Sequence, residues 1–351
     1  MERVKKINYV FLCTVFIMLI SGSGLIPFEK FVHTNTQLLI VSQLLIVLPS
    51  AVYLIMNRLR YKEAVRFKKV RPANVVLLIV FTFLLLPVMT FINALSQLYA
   101  VDTTTDVMSS IANKSPFLIA LFTVAFIPCI FEESVYRGVI FNEYSRHNKL
   151  GAIFLSAFLF GILHGNLNQF TYAFAMGIVF AFVIEATDSI VSTMIIHFII
   201  NGNSVLLLYL YPKILNYLEQ LHQNAMASGD SSMVTMIENA VGGNNFNVDE
   251  IMQNASSVMS EYTLSTVIVT YGFTALVCGV LAFFVYRTIA MNANRWEDVK
   301  SMFQKERRER EERLFSKKNF PYFVPLYIAM AICIISMILN ELIVRGVINL
   351  Y

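Results

Sequence analysis

The sequence predicts an all-α, polytopic membrane bundle of about nine spanning helices. Three observations carry this expectation. Of 351 residues, 57% are hydrophobic and 14% are charged, where a soluble domain carries about 25% charged residues. Mean hydropathy is +0.63. The apolar residues are gathered into runs near the length of about 20 that a helix needs to cross the hydrocarbon core.

The first run, 8–27, follows a basic start with Arg3, Lys5 and Lys6. No small-residue cleavage site follows it, so it reads as an uncleaved first span rather than a signal peptide. The next three runs, 37–56, 74–99 and 115–140, contain Pro49, Pro87 and Pro128. Proline is tolerated in membrane helices where neighbours re-satisfy the backbone, so these residues suggest kinks rather than ends. The fifth and sixth runs, 150–166 and 169–186, are short and close together, and each need not span fully. Runs 189–211, 263–287 and 320–344 complete the set.

The charges between the runs predict an orientation. Basic residues crowd segment 57–73 (Arg58, Arg60, Lys62, Arg66, Lys68, Lys69, Arg71), the stretch with Arg146 and Lys149, and segment 288–319. Segments 28–36, 100–114 and 212–262 hold only Lys30, Lys114 and Lys213. The alternation places the N-terminus in the cytoplasm and the C-terminus outside. Its weak point is the join at 187–188, expected inside yet flanked by Glu185 and Asp188. The organisation that follows is N-terminal spans in 1–114, a catalytic core in 115–211, an external insert in 212–262, a span in 263–287, a basic cytoplasmic segment in 288–319 and a last span in 320–351. The insert is expected to hold one or two short helices broken at Gly242-Gly243-Asn244-Asn245. The basic segment pairs Glu306 with Arg310 and Glu309 with Arg313 at helical spacing, which suits a solvated helix.

The net charge of +4 is no nucleic-acid signal, because the basic residues sit in short loops. Cys13, Cys129, Cys278 and Cys333 all lie in apolar runs, without metal-type spacing and without a disulfide framework.

Chemistry concentrates in the middle of the chain. Phe131-Glu132-Glu133-Ser134-Val135-Tyr136-Arg137 ends an apolar run that starts at Phe117. Ionisable groups there cost about 2.5–3.5 kcal/mol each at a helix centre and are functional candidates by default. Glu133 and Arg137 are four apart and can pair; Glu132 has no such partner on its own helix. Ordinary interfacial charges are the bland account. Phe160 and His164 share a face in the fifth run, and His197 and Asn201 share one in the seventh. Taken singly, a buried His is more often a hydrogen-bonded core residue, and an Asn can simply bond a neighbouring helix. Gly161 and Gly165, beside His164, suit close packing. Taken together, such groups in an apolar phase need one another for satisfaction. His33, His147 and His222 sit in polar segments and read as surface residues.

Glu-Glu-x-x-x-Arg, Phe-x-x-x-His and His-x-x-x-Asn, in this order on hydrophobic helices, resemble the signature of the CPBP intramembrane proteases. That family includes the type II CAAX prenyl endopeptidases and the bacterial Abi proteins linked to bacteriocin immunity. The resemblance covers about 116–203. It implies an eight-helix-type core with an extra C-terminal span, in a bacterial plasma membrane. It also implies peptide-bond hydrolysis by water held between Glu132 and His164, with a membrane-associated protein or peptide as substrate.

The physical logic stands beside it. A carboxylate in an apolar site can serve as general base or acid near neutral pH. His197 and Asn201 could donate to an oxyanion, while Glu133 and Arg137 neutralise each other at the helix end. Their cavity is expected to open toward the cytoplasm. No cofactor is expected; the alternative is a zinc ion on His164, His197 and Glu132, though no His-Glu-x-x-His is present. Depth raises a conflict. At 1.5 Å per residue, Glu132 lies about 24 Å below the outer face and His164 about 20 Å above the inner one. They meet only if the helices tilt, kink at Pro128, or the fourth runs on past Arg137. Two other classes compete: an inert scaffold or immunity protein of the same fold, and a transporter with a Glu/His relay, which would be expected to show internal repeats; none is found.

Overall fold

The computed structural model describes residues 1–22, 32–241, 263–304 and 317–348, and among these there are helices and no strand. Eight helices are long and apolar enough to cross a membrane: α1 (Glu2–Gly22), α2 (Asn35–Met56), α3 (Pro72–Gln97), α5 (Phe117–Ser145), α7 (Leu167–Thr187), α8 (Ile190–Ser228), α10 (Leu264–Asn292) and α12 (Phe320–Val344). Shorter helices are α4 (Thr104–Lys114), α6 (Lys149–Ile162), α9 (Ser231–Val241) and α11 (Trp296–Ser301), with single turns at Tyr61–Ala64 and Lys317–Asn319. The fifth apolar run is therefore no full span. At 14 residues, α6 rises about 21 Å, short of a hydrocarbon core of about 30 Å.

Side chains set the helix starts. Asn148, Asn166 and Ser189 cap α6, α7 and α8 by accepting from the backbone N–H of Gly151, Gln169 and Val191, which supplies orphan donors of the first turn. α6 and α7 form an antiparallel hairpin, α10 lies along α3, and α1 packs between α2 and α12. The hairpin is close at Gly177, where a Cβ would fall 2.7 Å from Ala157 Cα. Small residues let membrane helices approach in this way. Gly161 packs on Phe170, whose carbonyl a Cβ would meet at 3.1 Å, whereas Gly165 is needed for its positive φ of 65° at the turn after His164.

The acidic residues at 185 and 188 lie where basic loops converge. Glu185, 1% exposed, accepts from Arg66 at 2.7 Å and pairs with Lys149. Asp188 pairs with Lys68. Their charge is neutralised by the loops they adjoin, so they do not oppose the alternation. At the other end of the bundle, Arg345 beyond α12 donates to the Tyr99 carbonyl at 2.5 Å, and Glu341 accepts from Val101 N–H at 3.1 Å.

No break falls at 211–212. α8 runs 39 residues through Pro212, about 58 Å. It then turns at Gly229 (φ 73°) into α9. His222 is not a free surface residue: its Nε2 lies 3.3 Å from Glu238 Oε1, tying α9 back on α8. The Gly242–Asn245 break and the pairs Glu306–Arg310 and Glu309–Arg313 lie outside the described residues.

Candidate active site

α5 carries the two glutamates between two π-helical turns, Leu121–Phe126 and Ser134–Ile140. Such turns occur mostly as single bulges in helices, often at functional sites. α5 runs past Arg137 to Ser145, so Glu133 and Arg137 sit within the helix, not at its end. This resolves the depth conflict. Glu132 lies about 20 Å from Ser145, and His164 about 22 Å from Lys149, at 1.5 Å per residue. Both helices leave the same end of the bundle, and the two side chains come level.

Glu132, Phe160, His164, His197 and Asn201 line one cavity of about 360 Å³. The carboxylate oxygens of Glu132 have separate surroundings. Oε1 accepts from Gln43 Nε2 of α2 at 2.7 Å. Oε2 lies 3.8 Å from His197 Nε2, beyond a direct hydrogen bond. His197 is oriented from behind, its Nδ1 3.1 Å from Glu133 Oε1. Because that carboxylate accepts, Nδ1 carries the proton and Nε2 faces Glu132. His164 is held likewise. Its Nδ1 donates to the Phe160 carbonyl at 2.8 Å, and its ring stands edge-on to the Phe160 ring at 4.9 Å. Nε2 is left for the cavity.

Glu133 and Arg137 lie behind the wall, each 0% exposed, with Nη1 3.4 Å from Oε1. The guanidinium is otherwise enclosed by rings, 4.1 Å from the centroid of Phe160 and 5.0 Å from that of Phe180. Cation–π contacts strengthen when desolvated, so these rings stand in for water around a buried cation. Asn201 Nδ2 donates to the Val124 carbonyl at 3.1 Å. Pro128, four residues on, has no N–H to give that carbonyl, which explains why a side chain from α8 serves it. The amide has a second N–H, available to a ligand.

The cavity extends toward the end opposite the basic loops. Leu39 and Ser42 of α2 and Thr104 and Met108 of α4 line the cavity, and α4 lies at the opposite end, where Asn35 donates to Ser110 Oγ at 2.9 Å. Arg137 and its rings close the floor.

The zinc set of His164, His197 and Glu132 does not fit as arranged: among the described residues, no three His, Cys, Asp or Glu side chains are gathered as a metal ion requires. Sequence reading also missed Gln43 and Phe180. Gln43 had a signal, a primary amide within the apolar run 37–56. Phe180 had none, since one Phe in a run of apolar residues looks like any other.

Residues 114–202 match the family model described as Type II CAAX prenyl endopeptidase Rce1-like. The chain is 27% identical over 206 residues to the "Membrane-embedded CAAX protease MroQ" of Staphylococcus aureus (strain USA300), covering 54% of this chain and 83% of that protein. It is 31% identical over 117 residues to the "Putative membrane peptidase YdiL" of Bacillus subtilis (strain 168), covering 33% of this chain and 46% of that protein. No solved structure matches it significantly. All seven motif residues, from Glu132 to Asn201, fall inside the matched segment, so the part of the chain that carries the motifs is the part that is similar to the CAAX proteases.

Proposed function

We propose that this protein is an intramembrane endopeptidase that hydrolyses a peptide bond of a membrane-associated protein or peptide without a metal. The observation that carries the reading is the division of labour between adjacent carboxylates. Glu133 is wholly buried and committed to Arg137 and His197, while Glu132 faces a cavity shared with His164, His197 and Asn201.

In the reaction, Glu132 and the bare Nε2 of His164 hold one water. Glu132 takes a proton from it as its oxygen attacks the carbonyl carbon. The second N–H of Asn201 donates to the developing oxyanion, with His197 beside it, oriented by the bond from its Nδ1 to Glu133. The tetrahedral intermediate then breaks its C–N bond. The proton held by Glu132 passes to the leaving amine, and the carboxylate is restored.

The names of the relatives favour a CAAX-type substrate. The largely apolar wall, with Ile46, Met108, Val124 and Met176, suits a hydrophobic segment. The two bacterial relatives favour a bacterial plasma-membrane protein, and the gathering of basic loops at one end favours that end and the N-terminus in the cytoplasm, with the C-terminus outside. The deciding experiment compares the protein with Glu132→Gln in liposomes on a membrane-anchored peptide substrate. Cleavage by the first and at least about 10²-fold slower cleavage by the second is the expected result. Equal activity would remove this mechanism. Binding of the peptide without cleavage by either protein would favour the scaffold.

A further inference from the structure

Gln43 is a polar residue in the apolar core of α2, outside the segment 114–202 that carries the family motifs. It is 4% exposed and lines the cavity. Its Nε2 donates to Glu132 Oε1 at 2.7 Å, and its own Oε1 is buried without a hydrogen-bond partner. A buried amide serving the packing of two helices is expected to satisfy both ends. This one is oriented by Glu132 alone, because a carboxylate oxygen can only accept and so selects the NH₂ end.

We infer that Gln43 is a positioning residue for Glu132. It fixes one carboxylate oxygen and leaves the other, which faces His197 across 3.8 Å, to hold the attacking water. Without Gln43 the carboxylate keeps its charge but loses its fixed rotamer, and misplacing a catalytic group by about 1 Å can cost on the order of 10² in rate. The inference rests on the endopeptidase reading, and the test separates the two.

The experiment uses the full chain in liposomes with the same peptide substrate, and Gln43→Met, which keeps length while removing donor and acceptor. The expected result is a fall in kcat of about 10–10²-fold with the melting temperature retained. The effect should shrink to about twofold or less in a Glu132→Asp background, since residues acting as a unit are not additive. Gln43→Asn, which keeps the amide one methylene shorter, should recover part of the loss; it replaces Gln43→Met as the probe if the latter fails to fold. A Gln43→Met enzyme with unchanged kcat, or an equal loss in both backgrounds, overturns the inference and leaves the endopeptidase reading intact. Cleavage that survives Glu132→Gln overturns both.

Discussion

The Arg137 guanidinium lies 4.1 Å over the ring of Phe160, and the backbone carbonyl of Phe160 accepts the Nδ1 proton of His164 at 2.8 Å. One residue thus backs two parts of the site, a buried cation on α5 and a histidine on α6. Phe160→Leu keeps an apolar side chain and the carbonyl but removes the ring face. A desolvated cation–π contact is worth about 2 kcal/mol. The variant should be less stable by about that amount in detergent, with reduced cleavage, as read by thermal unfolding and peptide turnover.

Arg137→Ala should act chiefly through stability. Removing one partner of a buried pair costs about 3–5 kcal/mol, because the other charge is stranded. His197 still donates to Glu133, which places the expectation at the lower end. Purified yield and melting temperature should both fall, whereas Glu132→Gln should keep a near-normal melting temperature.

Glu132 and His164 are expected to behave as one catalytic unit. Each single change, Glu132→Gln or His164→Ala, should lower kcat by about 10²–10⁴. The double variant should be little worse than either. Multiplicative losses in steady-state kinetics would show that they do not share one water.

Gly177→Ala tests the hairpin that positions His164. The added methyl would lie 2.7 Å from Ala157 Cα and 2.8 Å from its Cβ, so α6 and α7 must part. Overpacking of this kind costs about 1–3 kcal/mol. Activity should fall as well, since Phe160 and His164 ride on α6. A wild-type melting temperature would refute the packing argument.

Chelation distinguishes the two mechanisms considered from the sequence. Under the proposed mechanism, in which Glu132 and His164 activate the water without an ion, activity should survive dialysis against a strong chelator. Loss of activity restored by added zinc would instead place metal chemistry at His164 and His197.

Much of this protein follows from its sequence alone. A bilayer pairs no backbone groups, so apolar runs of span length must be helices, and their charged connections are legible residue by residue; nine runs were expected to span where eight helices are long enough, because the fifth run forms a helix of 14 residues. The pairing of Glu133 with Arg137 follows from a spacing of four, as does the edge-on contact of His164 with Phe160. Tertiary structure decided what crosses between helices. Whether Glu132 and His164 stand level depended on α5 running on to Ser145 and on where α6 begins. The Val124 carbonyl left by Pro128 is filled by Asn201 from α8, and Glu132 is held by Gln43 from α2, 89 residues away. Helical periodicity tells which residues share a face, but not which face of another helix will meet it. That depends on packing, such as the close approach at Gly177, and packing is a property of pairs of helices rather than of either sequence segment.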